Sequence, residues 1–299
     1  MAKLRKTPKK IFAAAAVTLM FFIVGLAFYN RQPVLIISDR QFNLIYGEQR
    51  ALITRLVTQA RLFRPVKQVL IGEKAGADLV SLAAQSAAKA PYCALFPYRY
   101  YEGAVYYARE MPHIPVAVLG GAGQKAPDGV IFITTDVETD LYRAGRCAAI
   151  LAQPAADDAP AETKSRIMVL QRKTLAEDQR QIFLQGAQDE GFTGIPTYLT
   201  PNSNYRPDEE TAVIVMFGNG TRFLEDNEDA LVILFSWMDP EIISSWVKMV
   251  FDDSLWALAI PAVEMARKGE NGVLPSQPRL LDGRIESREL RRRLKKAAQ

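Results

Sequence analysis

Between residues 33 and 268 short apolar runs alternate with longer amphipathic ones, and this alternation restricts the fold more than any other feature of the chain. The junction at 129–151 shows it most plainly. Val130-Ile131-Phe132-Ile133 is apolar and rich in β-branching, which reads as a buried strand. Thr135, with Glu138 three residues on, predicts a capping box that opens a helix, and Leu141, Ala144, Ala148 and Leu151 then share one helical face. Strand-then-helix units lie on both sides of this junction in similar number, so it divides the chain into two α/β halves, 33–135 and 136–283. Strands that alternate with helices imply a parallel sheet covered on both faces, as in Rossmann-like lobes. Ligands of such sheets sit beyond the carboxyl ends of the strands.

In the first half, strands are predicted at Val34 to Ile37, Gln68 to Ile71, Tyr92 to Phe96, Pro115 to Leu119 and Val130 to Ile133, with helices over 43–63, over 77–89 and after Tyr101. The helix over 43–63 carries Ile45, Leu52, Ile53, Leu56, Val57 and Ala60 as one stripe. In the second half, strands are predicted at Ile167 to Leu170, Pro196 to Thr200, Ala212 to Phe217 and Leu231 to Phe235, with the last at Lys248 to Phe251. One helix is capped by Thr174 with Glu177 and closed by Gly191, and another runs from about Ser254 to Lys268 and stops at Gly269. Residues 153–165 have loop composition.

Both ends of the chain differ from this body. Residues 11–29 form a run of 19 without a charge, close to the roughly 20 that span the hydrocarbon of a bilayer. The basic segment 1–10 before it places the N-terminus in the cytoplasm and the remaining 270 residues outside it. The run is long for a cleaved signal and no small-x-small site follows it, so it is expected to be an uncleaved signal anchor in the cytoplasmic (inner) membrane, with a periplasmic or extracytoplasmic main domain. The tail 284–299 is basic and helix-prone, which predicts a solvated helix end or a contact with anionic lipid or envelope polymer.

The formal charge of +4 is misleading, because five basic residues precede residue 11 and the tail from Arg284 nets +5, leaving about −6 between them. No basic nucleic-acid-binding face is indicated. With two cysteines and one histidine, a Cys/His metal site or a His-served nucleophile would need nearly all of Cys93, Cys147 and His113 to converge. The expectation is therefore a protein without catalysis, cofactor or metal. Gly120-Gly121-Ala122-Gly123 follows a strand but lacks both the G-x-G-x-x-G spacing and a P-loop lysine.

The junction Thr135-Asp136 opens a helix carrying Gly145-x-x-Ala148-Ala149, and a later helix carries Phe183-x-x-Gly186-Ala187. Together with the two sequential halves, these residues resemble the type I periplasmic binding protein fold over roughly 33–283. Within it the chain looks closest to the basic membrane protein branch, whose relatives bind nucleosides, and more distantly to the sugar-binding branch. The resemblance implies two lobes that close on a small polar solute, for uptake or sensing. Only Pro201 to Glu210 separate two strands where that family places a helix, and an anchor stands where transport-linked members carry a cleaved signal or a lipidated cysteine. These departures suit an alternative, a degenerate binding fold acting as a non-catalytic structural or protein-interaction module of the cell envelope. Partners would be the solute, the membrane through 11–29, and a transporter or envelope protein.

On this architecture the strand ends bring Asp39 and Phe42, Tyr98 and Arg99, and Thr135 and Asp136 to the ligand from the first half and the junction. Arg172, Asn219, Trp237 with Asp239, and Asp253 come from the second half. Phe42, Tyr98 and Trp237 are placed to stack on a flat solute, and Asp39, Asp136, Asn219 and Asp253 to hydrogen-bond it. Asp39, Asp136, Asp239 and Asp253 also stand where helices begin, and there Asp is expected simply as an N-cap worth about 1 kcal/mol.

Overall fold

The computed structural model describes residues 7–38, 48–72, 74–120, 127, 129–153, 166–171, 175–200, 211–217, 231–235, 247–281, 285 and 287–299. The chain divides into two compact units. Unit 1 comprises Met1–Arg40, Glu48–Phe132 and Ala259–Asn271, and unit 2 is built chiefly from Ile133–Leu258 and Gly272–Gln299. The chain thus returns late to unit 1, whereas a division at 135/136 keeps everything after the junction together.

Helix α1 (Thr7–Tyr29) takes in the whole uncharged run. Val17, Leu19, Met20, Phe22, Ile23, Val24 and Leu26 are exposed along it. Its described side chains begin at Ala15, and among the described residues no helix is long and apolar enough to cross a membrane.

Six strands form the first sheet: β1 (Val34–Ser38), β2 (Val66–Leu70), β3 (Cys93–Pro97), β4 (Val116–Leu119), β5 (Val130–Thr135) and β11 (Gly272–Leu274), in the order β11-β5-β4-β3-β1-β2. The pairs β1–β2, β1–β3, β3–β4 and β5–β11 are parallel. Every residue of β1 is buried, as a central parallel strand with covered faces requires. Helices α2 (Glu48–Leu62), α3 (Ala77–Ala87) and α4 (Tyr101–Glu110) connect these strands, and α7 (Ala259–Lys268) packs on β3 and β4. The apolar stripe of α2 does not face the sheet. Thr58 is buried instead, with Gln59 reaching the Val66 carbonyl, while Leu52, Ile53, Leu56 and Val57 point to solvent.

The second sheet contains β6 (Arg166–Gln171), β7 (Thr197–Leu199), β8 (Thr211–Phe217), β9 (Leu231–Phe235), β10 (Val247–Asp252) and β12 (Gln277–Leu280), in the order β12-β10-β9-β8-β6-β7. All pairs are parallel except β10–β12, which is antiparallel. The expectation of wholly parallel sheets ending at Phe251 is corrected here. β11 and β12 are short strands around Pro275 and Pro278 that lack a strand signal, and β12 tolerates Pro278 because it is an edge strand. Phe217, Phe235 and Phe251 stack in series at the carboxyl ends of β8, β9 and β10, with ring centroids 4.0 and 5.1 Å apart.

Helix α5 (Val137–Ala152) lies against this core and packs on α6 (Glu177–Asp189). Leu141, Ala144, Ala148 and Leu151 are buried, as their spacing predicts. The N-cap of α6 is Ala176, two residues beyond Thr174, and Gln179 returns a hydrogen bond to its N–H at 3.1 Å. Gly191 and Gly269 follow α6 and α7 at φ +88 and +71. The two glycine motifs have a shared cause: a Cβ on Gly145 would collide with the Phe183 carbonyl, and one on Gly186 with the Tyr142 carbonyl. Backbone therefore touches backbone between the helices. The basic tail is not a merely solvated end, because α8 (Arg288–Ala297) buries Leu294 and Ala297, and Arg143 and Arg146 donate to the carbonyls of Gln299 and Ala297.

Adding a methyl group at either glycine forces α5 and α6 apart, and overpacking of this kind costs about 1–3 kcal/mol. Gly145→Ala and Gly186→Ala are each expected to lower the unfolding free energy by that amount in denaturant titrations. Gly72→Ala, where nothing lies within 4 Å of the added Cβ, is expected to leave it nearly unchanged.

Candidate functional site

In unit 1 the groups at the carboxyl ends are set by a turn without a loop. Pro97 ends β3, a 3-10 turn over Tyr98–Tyr100 follows at once, and Tyr101 starts α4 with its N–H donating to the Tyr98 carbonyl. Tyr98 is half-buried and stacks on Tyr101, with centroids 6.1 Å apart and planes 16° from parallel, and Tyr101 leans on Phe132 at 5.5 Å. Arg99 is exposed, its guanidinium 5.5 Å from the ring of the buried Tyr100. Gly120, after β4, has φ +90 and would bring a Cβ within 3.3 Å of Tyr98. Only glycine both adopts that backbone freely and leaves the tyrosine room. The result is a flat aromatic surface beside an exposed cation.

In unit 2, Thr134 and Thr135 end β5 half-buried, and the N-cap of α5 is Asp136, one residue after the Thr135 expected from the sequence. Both Asp136 oxygens are engaged: Oδ1 accepts the Thr139 N–H at 3.0 Å and Oδ2 the Thr139 hydroxyl at 2.7 Å. The shift follows from chemistry, since a carboxylate accepts two bonds here and a hydroxyl one.

One turn further, Asp140 is fully buried and accepts both the N–H and the hydroxyl of Ser276. Burial pushes its pKa up to about 6, against the pull of the Ser276 bonds and of Arg143 at 4.0 Å. At the end of β10, the buried Asp252 accepts the Ser254 N–H at 3.0 Å and pairs with Arg279 at 3.1 Å, and burial still raises its pKa. Its neighbour Asp253 is raised to about 8, first by burial and then by the Asp252 charge, with Asp140 adding. These turn bonds at Asp252 and Ser254 delay the following helix, so α7 starts at Ala259 and not near Ser254.

Of the residues nominated from the sequence, Tyr98 and Arg99 lie together in unit 1, and Thr135, Asp136 and Asp253 lie in unit 2. Asp39, Phe42, Arg172, Asn219, Trp237 and Asp239 lie outside the described residues, as do 201–210. Asp140, Ser276 and Arg279 were missed. For Asp140 a signal existed, because it falls four residues before Ala144 on the apolar stripe, where a charge has no place unless it is bonded. Cys93 and Cys147 are free and buried, and burial pushes both thiols up to about 12, so neither is a nucleophile at neutral pH. His113 is exposed. Among the described residues no group of three or more His, Cys, Asp and Glu is arranged to hold a metal ion.

No protein-family model and no curated protein matches the sequence. Among solved structures the chain is similar to an ABC transporter solute-binding protein from Conexibacter woesei, at 14% identity over 89% of this chain and 94% of that one, with TM-score 0.55. It is similar to a solute-binding protein of an ABC transporter system from Aeropyrum pernix, at 13% identity over 82% and 74%, with TM-score 0.51. It is also similar to a transcriptional activator of the comK gene from Bacillus halodurans, at 13% identity over 90% and 96%, with TM-score 0.53. At such identities the likeness shows the fold alone, an α/β fold that resembles the type I periplasmic binding proteins.

The buried carboxyls fix the sign of the pH dependence. Asp140 ionises near 3.8 when unfolded and near 6 when folded, so the folded protein holds the proton more tightly. Its contribution is fully present below pH 3.8 and is lost as pH rises through 6. Unfolding free energy is expected to fall by about 2 kcal/mol between pH 4 and pH 6 in denaturant titrations, and Asp140→Asn to flatten that fall. Asp253, which keeps part of its surface in water, extends a weaker decline towards pH 8.

Proposed function

We propose that this chain is a membrane-tethered, non-catalytic binding protein that holds a small polar solute, nucleoside- or sugar-like, with groups at the carboxyl ends of its strands. It would act outside the cytoplasm, in uptake or sensing. The observation that carries the reading is the stacked Tyr98–Tyr101 pair beside the exposed Arg99, set rigidly at the end of β3. An aromatic face takes the plane of a base or the C–H face of a sugar, and a guanidinium donates to hydroxyl, carbonyl or anionic groups. Asp253 is a further candidate. Asp136 is spent on its own helix. The fold supports the reading, because solved proteins similar to this chain are described as ABC transporter solute-binding proteins.

The tether rests on α1. Its 23 residues extend about 35 Å at 1.5 Å per residue, against about 30 Å of hydrocarbon. Apolar side chains that are exposed in water are solvated by lipid instead, and the lysine-rich segment before them favours a cytoplasmic N-terminus.

The envelope-module alternative draws support from the capping of Asp136, which removes one nominated ligand group. The two readings separate by native mass spectrometry of the purified chain followed by denaturing extraction. A binding protein is expected to carry, or to take up, a stoichiometric metabolite. Arg99→Ala and Tyr98→Ala are each expected to weaken its binding at least about tenfold; Arg99→Ala, at an exposed position, is expected to move the melting temperature by no more than about 2 °C, and Tyr98→Ala, which truncates a half-buried ring, by more. An empty protein with no thermal shift against nucleosides, sugars and amino acids would favour the envelope module.

A further inference from the structure

Helix α2 leaves an apolar face uncovered. Leu52, Ile53, Leu56 and Val57 are 47–58% exposed, four large side chains within two turns. They form a contiguous strip and not the scattered single residues common on protein surfaces. The sequence around them is basic: Arg50, Arg55, Arg61, Arg64 and Lys67 against Glu48 alone between residues 48 and 67.

The end of α2 is fastened to the end of α1. Phe28, in the last turn of α1, meets Phe63 edge-on with centroids 5.9 Å apart. Arg31 places its guanidinium 4.5 Å from the Phe63 ring and donates to the Phe63 carbonyl, while Arg64 donates to the Gln32 carbonyl, so the two segments are tied reciprocally. Phe63 holds φ +49, a conformation a bulky residue keeps only where its surroundings impose it. From Phe63 back to Leu56 is about 10 Å of helix axis. The nearer end of the apolar strip therefore lies about 10 Å along α2 from the point where Phe63 meets the end of α1.

We propose that the Leu52–Val57 face of α2 lies in the headgroup boundary of the bilayer that α1 enters, so that unit 1 rests on an anionic lipid surface through this helix. The proposal rests on the tether reading above. An amphipathic helix with large apolar groups on one side and arginines around it has the chemistry of interfacial binding. The same positive charge suits anionic lipid and opposes pairing of this face with a second copy of itself.

The test uses the full chain in vesicles of phosphatidylglycerol and phosphatidylcholine, with single thiols introduced by Leu56→Cys, Leu19→Cys and Ser86→Cys and labelled with an environment-sensitive fluorophore. Cys93 and Cys147 are buried and stay unlabelled in the folded protein. Leu19 tests the tether, and Ser86, exposed on α3, is the control. The expected result is that brominated lipid removes about half the emission at Leu19 and Leu56 and little at Ser86. Quenching at Leu19 with Leu56 behaving like Ser86 would overturn the proposal and leave the tether standing. No quenching at Leu19 would overturn both. A Leu56 label that is shielded but unquenched, with cross-linking between Leu56→Cys chains, would assign the face to a second copy and overturn the proposal.

Discussion

Unit 2 depends on a contact with nothing between its partners. At Gly145 and Gly186 the backbones of α5 and α6 touch, so the helices approach as closely as two helices can. That approach buries α5 from Asp140 onwards on the side facing the core, and the consequences run along the helix. Its first turn is capped by Asp136 and inserts Asp140 towards Ser276. Arg143 and Arg146 reach the carbonyl end of α8, where positive charge complements the helix dipole. Cys147 lies under Leu294 with a 3.9 Å contact to its carbonyl.

Asp136 and Asp140 show how one residue type takes two roles a single turn apart. Asp136 sits at the mouth of the helix, half in water, and its side chain accepts a helix N–H. Asp140 has lost its water and is compensated by Ser276, yet the desolvation outweighs those bonds and its pKa rises. Asp252 repeats the pattern at the end of β10, with Arg279 and Ser254 as partners. Asp136, Asp140 and Asp252 are therefore committed to holding strands and helix starts together. In unit 1 the described groups after β3 are aromatic and cationic, which makes Tyr98 and Arg99 the stronger candidates for contact with a solute.

Residue periodicity made the α/β alternation legible, because β1, β3, β4, β8 and β9 are continuous apolar runs and α5 keeps a clean stripe. Register and edges were not legible. The three-residue β11 carries no periodicity to read, and β12 becomes a strand only because Met249 to Asp252 lie open beside it. The helix starts one residue later than the Thr135–Glu138 pattern predicts because Thr135 and Asp136 are both N-cap residue types, and only geometry chooses between them. The stripe on α2 was read correctly as a stripe, but amphipathicity cannot say which medium the apolar side faces. The site was legible in part. A strand end followed by Tyr-Arg-Tyr-Tyr points to a recognition surface, whereas the Asp140–Ser276 bond joins residues 136 positions apart and leaves no local trace.

The segment between α1 and β1 bears on what kind of partner a tethered binder can serve. Asn30 to Pro33 supply four residues, at most about 14 Å even when extended. They are also not free, since Arg31 and Arg64 tie them to the end of α2 and the Val34 N–H donates to the Pro65 carbonyl. On the tether reading, unit 1 is held at the bilayer by a short and stiff connection, without the reach of a long flexible linker. Such a protein cannot shuttle solute across an envelope compartment. It can meet a transporter or sensor only by lateral encounter within the same membrane, where confinement raises effective concentration without any new contact. Uptake or sensing by this chain would therefore require a partner embedded beside it.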